Sequence, residues 1–271
     1  MSLLTPLADA IAPLRDAPAR AGVLLDVDGT LAPIVRHADD AQVPEPTRVP
    51  LIAVAKRYGF VACVSGRQAA VARRIVSLGS ITYVGNHGTE VLRGGRTEAE
   101  VQPEVAEWVP KLTAWAKAAW SEDLDRLRVR AEDKQAIRAY HWRGAPDEEA
   151  AEAAVRALAA AAEADGFATH WGRKVLEVRP PVPMDKGSGI VRLLRDGEAA
   201  ELDHVLYAGD DVTDVDAFRG LRELVAEGLL RSAVCVGVSS DETPAAIEEG
   251  ADVLVDGPRG VRELLTALAA D

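Results

Sequence analysis

The sequence contains six short apolar runs rich in Val, Leu and Ile, and this repeated feature constrains the fold most. Each run is followed by turn residues and then by a stretch with helical periodicity. Apolar runs without polar alternation are typical of strands buried on both faces of a parallel sheet. The runs occupy residues 23–27, 60–65, 81–85, 204–209, 233–238 and 252–255, and helices are predicted at 47–58, 67–78, 186–196, 213–227 and 258–269. This order predicts an α/β fold with a doubly wound parallel sheet.

The middle third of the chain has a different character, because all five Trp residues fall there. Its pattern predicts a helix at 103–120, strands at 127–134 and 136–143, a helix at 146–164, and strands at 167–172 and 174–179. Gly94-Gly95 and the Pro-rich stretch 180–183 are typical of domain boundaries. We therefore predict a core formed by residues 1–99 and 181–271, with an inserted α+β domain at residues 100–180.

Charge and cysteine content limit the partners and the compartment. With 31 Lys+Arg and 43 Asp+Glu the net charge is −12, which argues against nucleic acid or an anionic membrane as a partner. Cys63 and Cys235 lie in apolar runs and indicate a reducing compartment. The N-terminal stretch lacks the basic region of a signal peptide. We expect a cytoplasmic protein that is a monomer or a weak homo-oligomer.

Two acidic clusters follow predicted strands. Asp26 and Asp28 precede Gly29, and residues 210–216 contain four aspartates. Ligands collect at the carboxyl ends of strands in such sheets, and paired carboxylates there call for a cation. Mg²⁺ is the cation that suits oxygen ligands beside a phosphate. The alternatives are a simple Asp-Gly turn and, for Thr213 or Asp214, a cap on the following helix.

Two further features suit a phosphate group. Ser65 and Gly66 end one predicted strand and begin a helix, where a hydroxyl and free backbone N–H groups form an anion site. Lys186 is one of only six lysines and begins another predicted helix. Each feature alone is ordinary, since a Ser-Gly turn often only starts a helix and a lone lysine is often exposed. Their order along the chain with both acidic clusters favours a phosphate site.

The ordered motifs DVDGTL (26–31), VSGR (64–67), Lys186 and GDDVTD (209–214) resemble those of the haloacid dehalogenase superfamily of phosphatases. Finer details are similar to the trehalose-6-phosphate phosphatase family. These details are LLDVDGTLAPI, the segment GNHGTE (85–90), the EDK and HWR pair, KVLEVRP and AGDDVTDVDAF. The resemblance implies a Rossmann-like core with an inserted cap that selects the substrate.

The resemblance implies roles for the acidic residues. Asp26 is the expected nucleophile, which forms an aspartyl-phosphate, and Asp28 is the expected acid and then base. The side chains of Asp26 and Asp210 and the backbone carbonyl of Asp28 are expected to bind Mg²⁺. Asp211 and Asp214 are expected to support these ligands, and for Asp211 the alternatives are a metal ligand and a residue without a role in the site. The residues expected to bind phosphate are Ser65, Lys186, Gly29, Thr30 and Gly66.

Substrate selection is expected to come from the insert. Glu132, Lys134 and Glu177 match the disaccharide-binding positions of the family, although they also suit a solvated sheet face. Asn86 and His87 are expected near the site, or as structural residues of their loop. The expected activity is hydrolysis of trehalose 6-phosphate. The alternatives are a phosphatase for sucrose phosphate or mannosyl-glycerate phosphate, and a phosphate-sensing module without turnover.

Overall fold

The computed structural model describes residues 6–35, 37–195, 199, 201–241 and 243–270. The helices over these ranges are α1 Leu7–Asp16, α2 Glu45–Arg57, α3 Ala69–Val76, α4 Pro103–Ala106, α5 Val109–Ala119, α6 Glu122–Arg126, α7 Glu148–Ala164, α8 Lys186–Arg195, α9 Val212–Ala226, α10 Ala245–Gly250 and α11 Gly257–Ala269. The strands are β1 Ala21–Asp26, β2 Phe60–Val64, β3 Thr82–Gly85, β4 Glu90–Leu92, β5 Glu100–Val101, β6 Arg130–Asp133, β7 Arg138–His141, β8 Ala168–Gly172, β9 Val175–Arg179, β10 His204–Gly209, β11 Ser232–Ser239 and β12 Val253–Asp256. The chain divides into a core unit, Met1–Glu100 with Met184–Asp271, and an insert unit, Val101–Pro183.

The main sheet has the strand order β12-β11-β10-β1-β2-β3-β4-β5. The pairs from β12 to β3 are parallel, so the predicted α/β fold class with a doubly wound parallel sheet is confirmed. Strand β4, which the sequence pattern did not reveal, runs antiparallel to β3. The chain reverses there through a short turn at Asn86–Gly88.

Helices cover both faces of this sheet, and strand β1 shows how its side chains divide between them. Val23 and Leu25 join a buried cluster with α1, α2, α3 and α11. Leu24 joins a second cluster with α8, α9 and α10. Because side chains alternate along a strand, Asp26 at the end of β1 lies on the same side as Leu24, towards α8 and α9.

The insert unit has a four-stranded antiparallel sheet with the order β6-β7-β9-β8. One face of the sheet packs against helices. Tyr140, Leu176 and Val178 form a buried cluster with Leu112 of α5 and Val155 of α7. The residues between them in sequence, including Glu177, therefore lie on the opposite face.

Two predicted elements of the insert begin or end elsewhere in the structure. The helix predicted at 103–120 is divided into α4 and α5, because Pro110 lies in the first turn of α5 and has no N–H to continue a helix from α4. The strand predicted at 127–134 begins only at Arg130, since Arg128 has a positive φ of 55°. Both differences follow from single backbone positions.

The two cysteines are free and buried, in β2 and β11. Burial raises the pKa of Cys235 to about 12, so its thiol stays protonated and packs as a small apolar group. Across the described ranges, none of the helices combines the length and the apolar character that a membrane crossing requires.

Candidate active site

The carboxyl ends of four neighbouring strands form the candidate site. Asp26 at the end of β1 is in register with Val64 of β2, and Val64 with Val84 of β3. On its other side β1 pairs with β10, which leads into the second acidic cluster. The chain order reverses between β1 and β10, which is where ligands bind in open α/β sheets. Residues far apart in sequence thus come to one edge of the sheet.

Lys186 links the two acidic clusters. It is the first residue of α8 and is 3% exposed. Its Nζ donates hydrogen bonds to Asp26 Oδ1 at 2.7 Å and to Asp214 Oδ1 at 2.6 Å. Burial opposes its charge, but Asp214 and Asp26 outweigh that penalty and raise the pKa of Lys186. The lysine is therefore a fixed buried cation beside Asp26.

Asp214 organises the loop after β10. Besides Lys186, its carboxylate accepts hydrogen bonds from the Tyr207 hydroxyl at 2.5 Å and from the backbone N–H groups of Asp210 and Asp211 at 3.0 and 2.9 Å. The expectation that Thr213 or Asp214 caps α9 is wrong, because Asp211 occupies the cap position. Asp214 is instead the third residue of the helix and completes a capping box with Asp211.

The residues present suit a divalent cation. One carboxylate oxygen each from Asp26, Asp210 and Asp214 lies within 4.8 Å of the others. Asp26 Oδ2 is buried and makes no hydrogen bond to any described residue. Burial raises the pKa of Asp26, Lys186 opposes that rise, and Asp214 and Asp210 add to it. Burial and then Asp214 raise the pKa of Asp210 to about 6. The single positive charge of Lys186 does not balance the negative charge of three carboxylates, whereas an added divalent cation would.

Gly29 and Thr30 place Asp210. The Thr30 hydroxyl donates to Asp210 Oδ1 at 3.1 Å. Gly29 has a φ of +86°, and a Cβ there would lie 2.1 Å from Asp210 Oδ2. Only glycine therefore allows the Asp210 carboxylate to approach the turn after β1. The assignment of Gly29 and Thr30 to phosphate stays a prediction, and the contacts observed are with Asp210.

Ser65 lies in the loop after β2, which is hydrogen-bonded to the loop after β3. Its side chain is buried, and its Oγ accepts a hydrogen bond from the backbone N–H of Arg67 at 3.1 Å. The backbone N–H of His87 donates to the Ser65 carbonyl, and a Cβ on Gly66 would lie 2.7 Å from His87 Cε1. The close packing of Gly66 on His87 fixes the position of the Ser65 hydroxyl.

Asn86 and Glu90 lie beside the loops that follow β2 and β3. Asn86 is fully buried, and its expected contact with a substrate stays a prediction. The Glu90 carboxylate accepts a hydrogen bond from the backbone N–H of Ala69 at 2.5 Å. Burial raises the pKa of Glu90, while the Ala69 N–H and the Asn86 side chain oppose that rise. Glu90 is not among the residues predicted from the sequence, although its place in the GNHGTE segment is a usable signal.

Asp28 is paired with Arg67, a residue that is not among those predicted from the sequence. The guanidinium donates to both carboxylate oxygens of Asp28 at 2.7 Å. Arg67 belongs to the VSGR motif, so its position beside Ser65 was a signal for its place at the site. Asp28 is half-buried, and Asp26 is almost fully buried, so the two predicted catalytic carboxylates have different environments.

The insert unit brings together the three residues predicted to bind a sugar. Glu132 and Glu177 are both in register with Ala139 of the central strand β7, so they lie in one row on the sheet face opposite the helices. Lys134 Nζ donates to Glu177 Oε1 at 2.9 Å. His141 Nε2 lies 3.0 Å from Glu132 Oε2. This face carries a compact set of hydrogen-bonding groups.

Glu177 is the most buried member of this set. Its carboxylate is held by Lys134 and Arg179. Burial alone would raise its pKa, but Lys134 and Arg179 lower the pKa of Glu177 to about 2. The side chain is therefore a fixed, ionised acceptor at neutral pH.

The fold resembles that of solved haloacid dehalogenase-like hydrolases. It is similar to a haloacid dehalogenase-like hydrolase from Bacteroides thetaiotaomicron, with a TM-score of 0.61 and 15% identity over 90% of this chain and 98% of that one. A sequence model of the trehalose-phosphatase family matches residues 24–249. The chain belongs to the trehalose-phosphatase family, as the motifs predicted.

Two further relatives show the extent of the similarity. The probable trehalose-phosphate phosphatase D of Arabidopsis thaliana is 32% identical over 209 residues, which are 74% of this chain and 56% of the relative. The C-terminal domain of C. albicans trehalose-6-phosphate phosphatase has a TM-score of 0.71 and 24% identity, covering 97% of this chain and 95% of that one. The chain spans about half the length of the curated relatives it matches.

Proposed function

We propose that the chain is a Mg²⁺-dependent phosphatase of trehalose biosynthesis that hydrolyses trehalose 6-phosphate to trehalose and phosphate. The observation that carries this proposal is the buried Asp26 carboxylate. Its Oδ1 is held by Lys186, and its Oδ2 makes no hydrogen bond to a described residue. A buried carboxylate with one oxygen held by a cation and the other without a hydrogen-bond partner among the described residues suits attack on an electrophile. Family membership supports the choice of a phosphate monoester.

The proposed reaction has two steps. The Asp26 carboxylate attacks phosphorus, the bond between phosphorus and the sugar oxygen breaks, and that oxygen takes a proton from Asp28. Water then attacks the phosphorus of the aspartyl-phosphate, Asp28 takes a proton from the water, and the Asp26 carboxylate is released with inorganic phosphate. Asp28 lies two residues after Asp26, at the same end of β1, which supports a shared role.

Mg²⁺ fits the oxygen ligands of the acidic cluster. The side chains of Asp26 and Asp210 and the backbone carbonyl of Asp28 would hold it. When bound, the cation would neutralise charge on the phosphoryl oxygens and orient them. Asp214 would act differently, because its carboxylate already accepts four hydrogen bonds. We assign Asp214 and Asp211 to holding the Asp210 loop.

Ser65 and Lys186 are the proposed phosphate holders. The Ser65 Oγ accepts the Arg67 N–H, which leaves its own proton to donate to a phosphoryl oxygen. The ammonium group of Lys186 carries three protons, of which two are used by Asp26 and Asp214. One donor therefore remains for the phosphoryl group, whose negative charge it would stabilise during transfer.

We propose that the insert unit selects the sugar through Glu132, Lys134 and Glu177. Two carboxylates in one row and an ammonium group that donates to one of them suit the hydroxyls of a disaccharide, because each sugar hydroxyl both donates and accepts hydrogen bonds. With a net charge of −12, the main partner is proposed to be a small sugar phosphate in the cytoplasm rather than a polyanion.

The experiment that tests the function is a phosphate-release assay over trehalose 6-phosphate, sucrose phosphate, mannosyl-glycerate phosphate and glucose 6-phosphate. We expect trehalose 6-phosphate to give the highest kcat/KM. Equal rates on trehalose 6-phosphate and glucose 6-phosphate would contradict the disaccharide specificity. Absence of turnover with every ester, together with Mg²⁺ binding, would instead favour the phosphate-sensing alternative.

A further inference from the structure

Arg67 makes a planar, two-bond pair with Asp28 in the core unit. Its Nε donates to Asp28 Oδ2 and its Nη2 to Asp28 Oδ1, both at 2.7 Å. The third arm, Nη1, donates to the backbone carbonyl of Ala38 at 2.9 Å. The Arg67 side chain is 22% exposed and that of Asp28 31%. The guanidinium is thus anchored at one end and holds the carboxylate at the other.

This geometry fixes the orientation of Asp28. A fork of two parallel N–H···O bonds defines the plane of a carboxylate, whereas a single bond leaves it free to turn. The fork is itself fixed from two sides, by Ala38 and by the backbone of the Ser65–Arg67 loop. Each Asp28 oxygen gives one lone pair to Arg67 and keeps a second one. The carboxylate therefore has a free edge whose direction Arg67 sets.

We propose that Arg67 is a positioning residue that aims Asp28 at the oxygen leaving the phosphoryl group. The proposal rests on the proposed function, because it assigns Arg67 a part in the proton transfer by Asp28. The mechanism places the Asp28 proton on the sugar oxygen as the bond between that oxygen and phosphorus breaks. A small misplacement of a proton donor lowers the rate strongly. Arg67 would therefore act through Asp28 and not on the phosphate itself.

The test compares two esters that differ in their need for an acid. The oxygen of trehalose 6-phosphate leaves poorly without a proton, whereas the phenolate of p-nitrophenyl phosphate leaves unaided. The ratio kcat/KM covers only the steps up to formation of the aspartyl-phosphate. We expect Arg67→Met to lower kcat/KM for trehalose 6-phosphate by about 10²-fold and to change that for p-nitrophenyl phosphate by less than about threefold. Arg67→Lys keeps the positive charge but lacks the planar fork that makes two parallel bonds to one carboxylate, so its rates should lie in between.

Two comparisons establish that Arg67 acts through Asp28. Asp28→Asn should show the same difference between the two esters, and the double variant with Arg67→Met should be no worse than Asp28→Asn alone. Arg74→Met is the matched control, since Arg74 is an exposed arginine on the next helix. We expect that variant to retain wild-type rates on both esters. Circular dichroism confirms that each variant is folded.

Three results would overturn the proposal. Equal losses on both esters would show that Arg67 binds the phosphoryl group. Additive losses in the double variant would show that Arg67 acts independently of Asp28. Unchanged or faster hydrolysis of trehalose 6-phosphate would show that the pair restrains Asp28 instead of positioning it.

Failure of the proposed function gives a different result. If the wild type hydrolyses glucose 6-phosphate but not trehalose 6-phosphate, the sugar assignment fails. The same comparison, run with glucose 6-phosphate against p-nitrophenyl phosphate, then tests Arg67. If the wild type hydrolyses neither ester, both proposals are overturned.

Discussion

Lys186 donates a hydrogen bond to Asp26 at 2.7 Å although 160 positions separate the two residues in the sequence. The contact joins the end of β1 to the start of α8, on opposite sides of the insert unit in the chain. Both side chains are nearly fully buried. Removal of Lys186 would leave buried carboxylates without their cation, whereas removal of Asp26 would leave Lys186 paired with Asp214. Both the stability of the core unit and the proposed chemistry therefore depend on this contact.

Replacement of Lys186 should show that dependence. In Lys186→Met the carboxylates of Asp26 and Asp214 lose their only shared cation among the described residues. We expect the free energy of unfolding to fall by roughly 3–5 kcal/mol, measured by urea denaturation with far-UV circular dichroism. Lys56→Met, at an exposed lysine of α2, is the control and should stay within about 0.5 kcal/mol of the wild type. Equal stability of the two variants would contradict the assigned role.

Asp26→Asn should abolish turnover while the fold is retained. The amide is not a nucleophile, so we expect kcat to fall by more than about 10⁴-fold and the phosphorylated protein to be absent from mass spectra. Asp216→Asn is the control, because Asp216 belongs to the same acidic cluster but pairs with Arg219 on the surface. Appreciable phosphatase activity in Asp26→Asn would contradict the assignment of Asp26 as the nucleophile.

Chelation should remove the activity. We expect excess EDTA to eliminate phosphate release and added Mg²⁺ to restore it, since the carboxylates of Asp26, Asp210 and Asp214 lie within 4.8 Å of one another and Lys186 pairs with only two of them. Asp210→Asn should weaken Mg²⁺ binding by on the order of tenfold or more, as measured by titration calorimetry. Asp216→Asn should bind Mg²⁺ as the wild type does. Full activity in excess chelator would point to a mechanism without a metal.

Gly29→Ala should disrupt the site through contact and not through backbone strain alone. Gly29 and Gly95 both have positive φ, at 86° and 75°, but only Gly29 has atoms within 4 Å of a Cβ. Both alanine variants should lose about 1 kcal/mol of stability from the backbone. Only Gly29→Ala should also lose activity, because its methyl group displaces Asp210. Similar activities of the two variants would show that Asp210 moves aside without consequence.

Glu177→Gln should change the acid stability of the insert unit. Glu177 has a pKa of about 2 against an ordinary value of 4.5. Its ionised form therefore stabilises the folded state fully above pH 4.5, and this contribution is lost as the pH falls towards 2. We expect Glu177→Gln to lose roughly 3 kcal/mol at pH 7 and to show a flatter dependence between pH 4.5 and 2.

Tryptophan fluorescence is the suitable probe for this prediction, because all five Trp residues lie in the insert unit. Glu149→Gln, at an exposed position of α7, is the matched control and should keep the wild-type pH dependence. If both variants unfold with the same pH profile as the wild type, Lys134 and Arg179 do not hold Glu177 in the way the structure indicates.

Much of the core was predictable because buried parallel strands are local apolar runs. The motif residues at strand ends were predictable for the same reason, since the end of each run marks its place at the sheet edge. The pairing of Arg67 with Asp28 was not predictable, because both residues follow strands and their side-chain directions depend on the loops. The division of the predicted helix at 103–120 depended on Pro110 and was visible in the sequence.

The sequence by itself determined the class of the fold, the family and the order of the motifs, because periodicity and motif spacing are properties of local stretches of chain. Only the tertiary structure decided which oxygen of Asp26 is held and that Asp214 is saturated with hydrogen bonds. It also decided that Gly29 makes room for Asp210. These facts arise from contacts between segments about 180 positions apart, and contacts of that range depend on how strands and helices pack in three dimensions.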